Sequence, residues 1–405
     1  MRIIRLRLGN CGQCSLILRL LVVLGGIFLL RAIWVTPSYK NGTQTQTRNF
    51  VLRNTSTRNS LQRSISRLLF SNGYTEKEEN IISSMFEMYH PKTRNNTYNF
   101  TYIHVPDIPR QDDRPRRLYL EHGTGRLGNK LFHVAAAISI AIANNMELYL
   151  PYDTDVVRIF NMTQFNTYTP PEYDAFNKSG GKIKIIHHVS YVEEYMDMAW
   201  KYHVKLDKGG VQTYLYFWKY QPLIRSLYVF NKFIQYQIQF FMSELQRKYS
   251  QFGNLTYIGI HCRRGDRAYD KEIIKAGYQA TPISYFQKAI NFTLTRYKTP
   301  IIYVVATDDR DWTTKYLKNP GENTFIEHTP WGLTAEYDMG ILSSMNHTIM
   351  STGSFGWWAA YLAGGDVIYY NQPFKPKTIR GKHWQRWFQT QMYPREDNWI
   401  GMDAS

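Results

Sequence analysis

The chain has 405 residues, 43% of them hydrophobic and 15% aromatic, and carries 49 Lys and Arg against 32 Asp and Glu for a net charge of +17. That length gives room for two domains with real cores, and the positive balance asks for an anionic partner: nucleic acid, a membrane surface or a phosphorylated small molecule. No recognisable nucleic-acid module accompanies the charge, which sets nucleic acid aside.

Arg2, Arg5 and Arg7 precede a stretch, residues 16–35, that is almost wholly apolar. Twenty helical residues span a bilayer core, and Arg19 and Arg31 can snorkel to the two surfaces. The basic flank predicts a cytosolic N-terminus. A cleaved signal peptide is the competing reading, because residues 20–30 would serve as its apolar region. Arg31, Ala32, Ile33 and Trp34 follow, however, and offer no clean small-x-small cleavage site. The reading adopted is a signal anchor (1–15 cytoplasmic, 16–35 transmembrane) in a single-pass type II membrane protein with its body in the lumen.

Asn-x-Ser/Thr sequons agree with that topology. They stand at Asn41, Asn54, Asn95, Asn99, Asn161, Asn177, Asn254, Asn291 and Asn346, all beyond the anchor. Cys11 and Cys14 form CGQC on the cytosolic side, where palmitoylation or no role fits better than a redox or zinc motif. Cys262 is alone in the lumenal body, so no intrachain disulfide forms there. Residues 36–113 are rich in Ser, Thr, Asn, Gln and Arg and read as a stem, closed by PRQDDRPRR at 109–117.

The body then alternates. RLYLEH (117–122) reads as a strand, GTGRLGN (123–129) as a glycine-rich turn, 127–145 as a helix and MELYLP (146–151) as a strand, together a βαβ unit. Residues 152–250 are less clear, with an aromatic-rich helical stretch over 222–249. LTYIGIH (255–261) is the next strand. Thr281 is placed to cap a helix that begins at Pro282 and runs to about 297. Strands follow at PIIYVVAT (300–307) and TFIEH (324–328), then a helix capped by Thr334 and running to about 345. HTIMS (347–351), SFGWWAAYLAGG (354–365) and DVIYY (366–370) complete a strand-helix-strand series. Such alternation predicts parallel sheets. The expected fold class is α/β with two Rossmann-like domains, 114–250 and 251–405, and an interdomain cleft. Ligands of such sheets lie beyond the carboxyl ends of the strands.

Three motifs fall there. Gly123, Gly125 and Gly128 form G-x-G-x-x-G between a strand and a helix. A dinucleotide fingerprint has that form but expects an acidic residue ending the next strand. Asp153 comes late for that, and a lumenal anchored chain makes a poor dehydrogenase. What remains is a helix N-terminus with close backbone access, suited to a diphosphate or a developing oxyanion. In HCRRGD (261–266), Arg263 or Arg264 can reach a ligand while the other braces the loop, and His261 can donate to the same oxygens. A structural Arg–Asp pair at a strand end is the plainer alternative. In HTIMSTGSFGWWAAYLAGGD (347–366), the hydroxyls of Ser351, Thr352 and Ser354 and the free backbone N–H groups suit phosphate. Phe355 is placed to stack on a base or sugar, while Trp357, Trp358 and Tyr361 read as core. Thr307, Asp308 and Asp309 end a strand, and the two carboxylates suit either a ribose or base N–H or a helix cap. Two D-x-D pairs, Asp153/Asp155 and Asp309/Asp311, raise a metal, but paired arginines neutralise phosphate without one.

With these residues in view, the chain resembles the alpha-1,2-fucosyltransferases, glycosyltransferase family 11, over roughly residues 117–402. GRLGNKLF, IGIHCRRGD and NHTIMSTGSFGWWAAYLAGGDVIYY stand in family order, joined by WKY (218–220) and NWIGM (398–402). The resemblance implies a GT-B fold, a Golgi type II protein, GDP-fucose as donor, no metal or other cofactor, and a glycan acceptor on glycoprotein or glycolipid. It also implies 114–250 as the acceptor side and 251–405 as the GDP-fucose side. His261, Arg263 and Arg264 are implied to face the nucleotide diphosphate, and Asn129 to lie near the reacting centre. Gly125, Gly128, Thr307, Asp308, Asp309, Ser351, Thr352, Ser354 and Phe355 are the expected donor-binding set. Transfer from a β-linked donor to an α-glycoside inverts the anomeric centre and needs a base, for which Asp266, Asp270, Glu272, Glu121 and His122 are candidates; alternatively Asp266 only orients the arginines. Protein O- or alpha-1,6-fucosylation and a non-catalytic, membrane-tethered glycan-binding protein are the competing functions.

Overall fold

Strands β6 (Thr256–Cys262) and β7 (Ile301–Thr307) are near-continuous apolar runs whose central residues are buried on both faces, as strands of a parallel sheet covered by helices must be. The computed structural model describes residues 116–405 apart from 161, 163–164, 179–182, 187–188, 199–201, 209–210 and 299. The expected tail, anchor and stem, Cys11, Cys14, and the sequons at Asn41, Asn54, Asn95, Asn99 and Asn161 lie outside the described residues. Among the described residues no helix is long and apolar enough to cross a membrane. Asn177, Asn254, Asn291 and Asn346 are exposed.

The described residues form two sheets, and every strand pairing in them is parallel. The first has the order β3-β2-β1-β5-β4, from β1 (Arg117–Leu120), β2 (Glu147–Pro151), β3 (Asn166–Tyr168), β4 (Ile183–Ile186) and β5 (His203–Leu206). The second has the order β11-β10-β9-β6-β7-β8, adding β8 (Thr324–His328), β9 (His347–Met350), β10 (Val367–Tyr370) and β11 (Trp399–Met402). In the first sheet the strand order reverses at β1, and in the second at β6. Ligand crevices of open α/β sheets form beyond the carboxyl ends of the strands at such reversals. The residues placed there are Glu121 to Arg126 after β1, Arg263 and Arg264 after β6, and Ser351 after β9.

The Leu127–Ala143 helix is apolar on nearly every side because it has two partners. One is its own sheet; the other is the Ser354–Ala363 helix of the second half. Phe132 lies 4.6 Å from Trp357 and 5.1 Å from Trp358 between ring centroids. Phe217 and Tyr228 both stack on Trp358, at 5.3 and 5.0 Å. One aromatic core therefore joins the two halves, and Trp357, Trp358 and Tyr361 belong to it.

Several expected elements differ. The helical stretch over 222–249 is two helices, Gln221–Leu227 and Lys232–Lys248. The break falls where Asn231 turns its side chain to accept from Ile234 N at 3.0 Å and so starts a new helix. Thr281 does not cap the next helix, which spans Ile283–Arg296 with Pro282 at the N-cap. The Thr281 carbonyl instead accepts from Arg264 Nη1 at 3.2 Å. Thr334 stands at the N-cap of Ala335–Ser343 but its side chain makes no capping bond. Strands β3, β4 and β5 and the helix Ile379–Gln391 had no clear signal in the sequence.

Candidate active site

The backbone N–H of Arg263, just past the end of β6, donates to Ser351 Oγ at 2.9 Å. That bond ties the loop after β6 to the loop after β9 and fixes where Arg263 points. Its guanidinium grips Asp266, with Nε donating to Oδ1 at 3.0 Å and Nη2 to Oδ2. Nη1 faces Gly353, where a Cβ would stand 3.1 Å away. Gly353 has φ +104°, so both the backbone angle and the closeness of the arginine call for glycine at the start of the Ser354–Ala363 helix.

Arg264 turns the other way. Its Nε lies 3.3 Å from Asp309 Oδ2, and its guanidinium stacks 3.8 Å over the Trp312 ring. Together with the bond to the Thr281 carbonyl, these contacts make it a brace. The neighbouring carboxylates serve the same loop. Asp308 Oδ1 accepts from the backbone N–H groups of Arg264 at 2.7 Å and Gly265 at 3.1 Å. Asp309 caps the Arg310–Tyr316 helix and accepts from Tyr269 Oη at 2.7 Å. Thr307 Oγ1 accepts from Asp309 N at 3.0 Å. Thr307, Asp308 and Asp309 thus each bond to the protein's own groups, Asp308 from an exposed position.

His261 is 6% exposed, with Nδ1 3.3 Å from Ser351 Oγ and its ring 5.5 Å from that of Phe355. Burial, and then the charge of Arg263, push its pKa down to about 3. The imidazole is therefore neutral and offers one N–H rather than a positive charge. Ser351 is fully buried, with its Oγ already used by Arg263 N. Thr352 Oγ1 is buried without a hydrogen-bond partner among the described residues. The Cys262 thiol is buried and its pKa is pushed up to about 12 by that burial, so it is inert.

Across from these groups lies the first turn of the Leu127–Ala143 helix. Ser354 Oγ donates to Asn129 Oδ1 at 2.5 Å. A Cβ on Gly128 would stand 2.5 Å from Phe355 N and 2.6 Å from Ser354 C, so the two helix N-termini meet backbone to backbone. Gly125 turns the preceding loop with φ +91° against the Asn129 amide. Two helix N-termini, each the positive end of a helix dipole, therefore meet near Arg263.

Two residues passed over in the sequence complete the electrostatics. Desolvation pushes the Asp266 carboxyl up, but the Arg263 hydrogen bond and the charges of Arg263, Arg267 and Arg126 outweigh it and hold the pKa below the ordinary value. Arg126 is exposed and comes from the glycine loop of the first half. Arg267 is 7% exposed, with its guanidinium 3.9 Å over the Tyr278 ring and its pKa lowered by burial to about 10. Both were visible, one inside GTGRLGN and one directly after RRGD, but neither has a pattern that separates it from a surface arginine.

Of the other acidic candidates, Asp270 caps the Lys271–Lys275 helix and Glu272 is exposed in that helix's first turn. Glu121 lies 3.3 Å from Lys205 Nζ and accepts from Lys208 N. Asp153 sits 2.9 Å from His122 Nε2, and Asp155 2.6 Å from Lys130 Nζ. Among the described residues no group of three or more His, Cys, Asp or Glu is arranged to hold a metal ion.

The protein is thus an α/β chain with two parallel sheets whose carboxyl edges meet at a cationic locus between two helix N-termini. The family described as Glycosyl transferase family 11 matches residues 124–401, and the chain belongs to that family. Among its relatives are galactoside alpha-(1,2)-fucosyltransferase 2 of Bos taurus, 26% identical over 68% of this chain and 78% of the relative, and its counterpart in Gorilla gorilla gorilla, 28% identical over 64% and 74%. Galactoside 2-alpha-L-fucosyltransferase Sec1 of Mus musculus is 26% identical over 62% and 67%. Solved structures with a similar arrangement include an Arabidopsis thaliana FUT1 mutant in complex with GDP, at TM-score 0.42 and 15% identity over 64% of this chain and 71% of that one. NodZ alpha-1,6-fucosyltransferase co-crystallized with GDP matches at TM-score 0.41 and 13% identity over 65% and 99%.

Proposed function

We propose that the chain is an inverting galactoside 2-alpha-L-fucosyltransferase of GT-B type. It moves L-fucose from GDP-β-L-fucose to the 2-hydroxyl of a terminal galactose, or a similar hexose, on a glycoprotein or glycolipid. The observation that carries the reading is the surplus of positive charge around Asp266. Three guanidinium groups, Arg126, Arg263 and Arg267, act on that one carboxylate at the place where two helix N-termini converge. An anion with two phosphates balances that surplus, and the galactoside activity named for the relatives supplies the acceptor class.

In this reading the diphosphate lies against Arg263, with Arg126 reaching it from the first half and the N–H groups near Gly128 and Ser354 below it. The bond between fucose C1 and the β-phosphate oxygen breaks as the acceptor oxygen bonds C1 from the opposite face, and the electron pair leaves on GDP. Preorganised positive charge at the leaving oxygen is the main source of rate. Asp266 holds Arg263 in place, while Arg264, Asp308 and Asp309 brace the loop from behind. Neutral His261 keeps Ser351 and Phe355 in register, and Asn129 sets the Ser354 hydroxyl. No metal takes part. The body is lumenal in the Golgi, on the single N-terminal anchor read from the sequence.

The test is to incubate the full-length chain with GDP-fucose and β-galactosides, then measure released GDP and determine the linkage of the product. Release of GDP with an α-1,2-linked fucoside, unaffected by EDTA, is expected. A chain that binds GDP-fucose but yields no fucoside with any β-galactoside overturns the transferase reading.

A further inference from the structure

Beyond the donor site, the crevice of the first sheet holds a pair that the charge argument does not use. His122 and Asp153 follow the ends of the adjacent strands β1 and β2. Nε2 of His122 lies 2.9 Å from Asp153 Oδ1, and both side chains are about half exposed. The carboxylate holds the imidazole by its Nε2 edge and leaves Nδ1 as the open nitrogen. Nδ1 makes no hydrogen bond among the described residues. A carboxylate-oriented imidazole with an open nitrogen is the arrangement of a general base.

Placement supports the role. His122 stands four residues before Arg126, whose charge reaches Asp266, and seven before Asn129, which touches Ser354. Its loop is pinned to the end of β5 by Glu121 N donating to Leu206 O at 2.9 Å and Thr124 N to Lys208 O at 3.2 Å. Tyr152, 57% exposed beside Asp153, offers an aromatic face of the kind on which a sugar ring packs. Of the rival bases, Glu272 is exposed in the first turn of the Lys271–Lys275 helix, on the second half of the chain, and the others are occupied. Asp266 is gripped by Arg263, Asp270 caps a helix, Glu121 is paired with Lys205, and His261 is buried with its pKa near 3.

We propose that His122 is the catalytic base for the acceptor hydroxyl, with Asp153 as its positioning residue. The proposal rests on the fucosyltransferase reading above. Nδ1 takes the hydroxyl proton as the acceptor oxygen bonds fucose C1 and GDP departs with the electron pair of the broken C1–O bond. The imidazolium that results is stabilised by Asp153 and returns its proton to water.

The experiment compares full-length wild type, His122→Ala, His122→Gln, Asp153→Asn and Arg263→Ala for kcat, for KM of GDP-fucose and for binding of GDP. His122→Ala is expected to lose about 10²–10⁴ in kcat, the usual range for general-base removal, with GDP binding unchanged. Added imidazole should restore part of the transfer to His122→Ala and none to Arg263→Ala. His122→Gln, which keeps the side chain's bulk, should lose kcat similarly without rescue, and Asp153→Asn should lose less. Either His122 variant at the wild-type kcat overturns the proposal. So does a loss that tracks weakened GDP binding and ignores imidazole, because that is the mark of a structural role. A wild-type chain that transfers no fucose overturns the function itself, a result distinct from failure in the variants alone.

Discussion

Ser354 donates its hydroxyl hydrogen to Asn129 Oδ1 at 2.5 Å, joining residues 225 apart in sequence and belonging to opposite halves of the protein. Each stands in the first turn of a helix, so the bond sets the spacing of two helix N-termini. If it does so, Asn129→Ala and Ser354→Ala should not act independently. A double-mutant cycle on folding stability is expected to show coupling of about 0.5–3 kcal/mol, and each single variant should also lose fucosyl transfer. Strictly additive stabilities would show that the contact does not link the halves.

The adjacent arginines make opposite demands. Arg263 reaches toward the helix N-terminus at Gly353, whereas Arg264 is locked on Asp309, the Thr281 carbonyl and the Trp312 ring. Arg263→Ala should therefore lower turnover by about 10²–10³, as loss of one preorganised charge does, with little change in denaturation midpoint. Arg264→Ala should cost about 2 kcal/mol or more of stability through the lost stacking and charged hydrogen bonds. Urea denaturation and turnover on the same two preparations separate the roles. An Arg264→Ala chain of wild-type stability and no activity would reverse them.

How much of this could be read from the chain depends on the range of each interaction. GTGRLGN, HCRRGD and STGSFG each join a strand to a helix through a turn, so their own residues place them at the sheet edges. The engagement of the carboxylates was not legible. Asp308 finds Arg264 N across 44 residues, and that distance closes only when β6 and β7 pair in register. Arg126 matters for the same reason, since its charge reaches Asp266 only once the halves are together; Arg267 adjoins Asp266 in sequence, and only its burial against the Tyr278 ring sets it apart from a surface arginine. The short strands β3, β4 and β5 carry little periodicity, and their partners rather than their residues define them. Trp218, in the family-like WKY, reaches Glu396 near the C-terminus at 3.0 Å through its indole N–H, a contact no local pattern contains.

Gly128 sets a steric limit on how closely the two helix N-termini approach. The atoms that a Cβ there would meet, Phe355 N and Ser354 C, are backbone at 2.5 and 2.6 Å, and neither can rotate away. Gly128→Ala should cost about 1–3 kcal/mol, the range for overpacking, and should lower fucosyl transfer at temperatures where the chain is still folded, because the helix ends are forced apart. Gly321→Ala is the control, since a Cβ there meets nothing within 4 Å. A Gly128→Ala chain as stable and active as the Gly321→Ala chain would mean that the two N-termini are not in contact in solution.

Two buried histidines set the response of the fold to acid. His261 is pushed down to about 3 by burial and then by Arg263, and His133, in the Leu127–Ala143 helix, down to about 4 by burial. The ordinary value for both is 6.5, so between 6.5 and these lower values the unfolded chain takes up protons that the native chain refuses. Their stability is fully present above about pH 6.5 and is lost as pH falls, each group removing about 1.4 kcal/mol per pH unit until its folded pKa is reached. His328 and His347 are lowered by burial as well and act in the same direction. Ordinary carboxylates titrate mostly below pH 5, so urea denaturation at pH 7, 6 and 5 isolates the histidines. Stability should fall across that series, and His133→Gln should flatten the fall by one proton's worth. Equal stability at pH 7 and pH 5 would mean that these imidazoles are open to water in the folded chain.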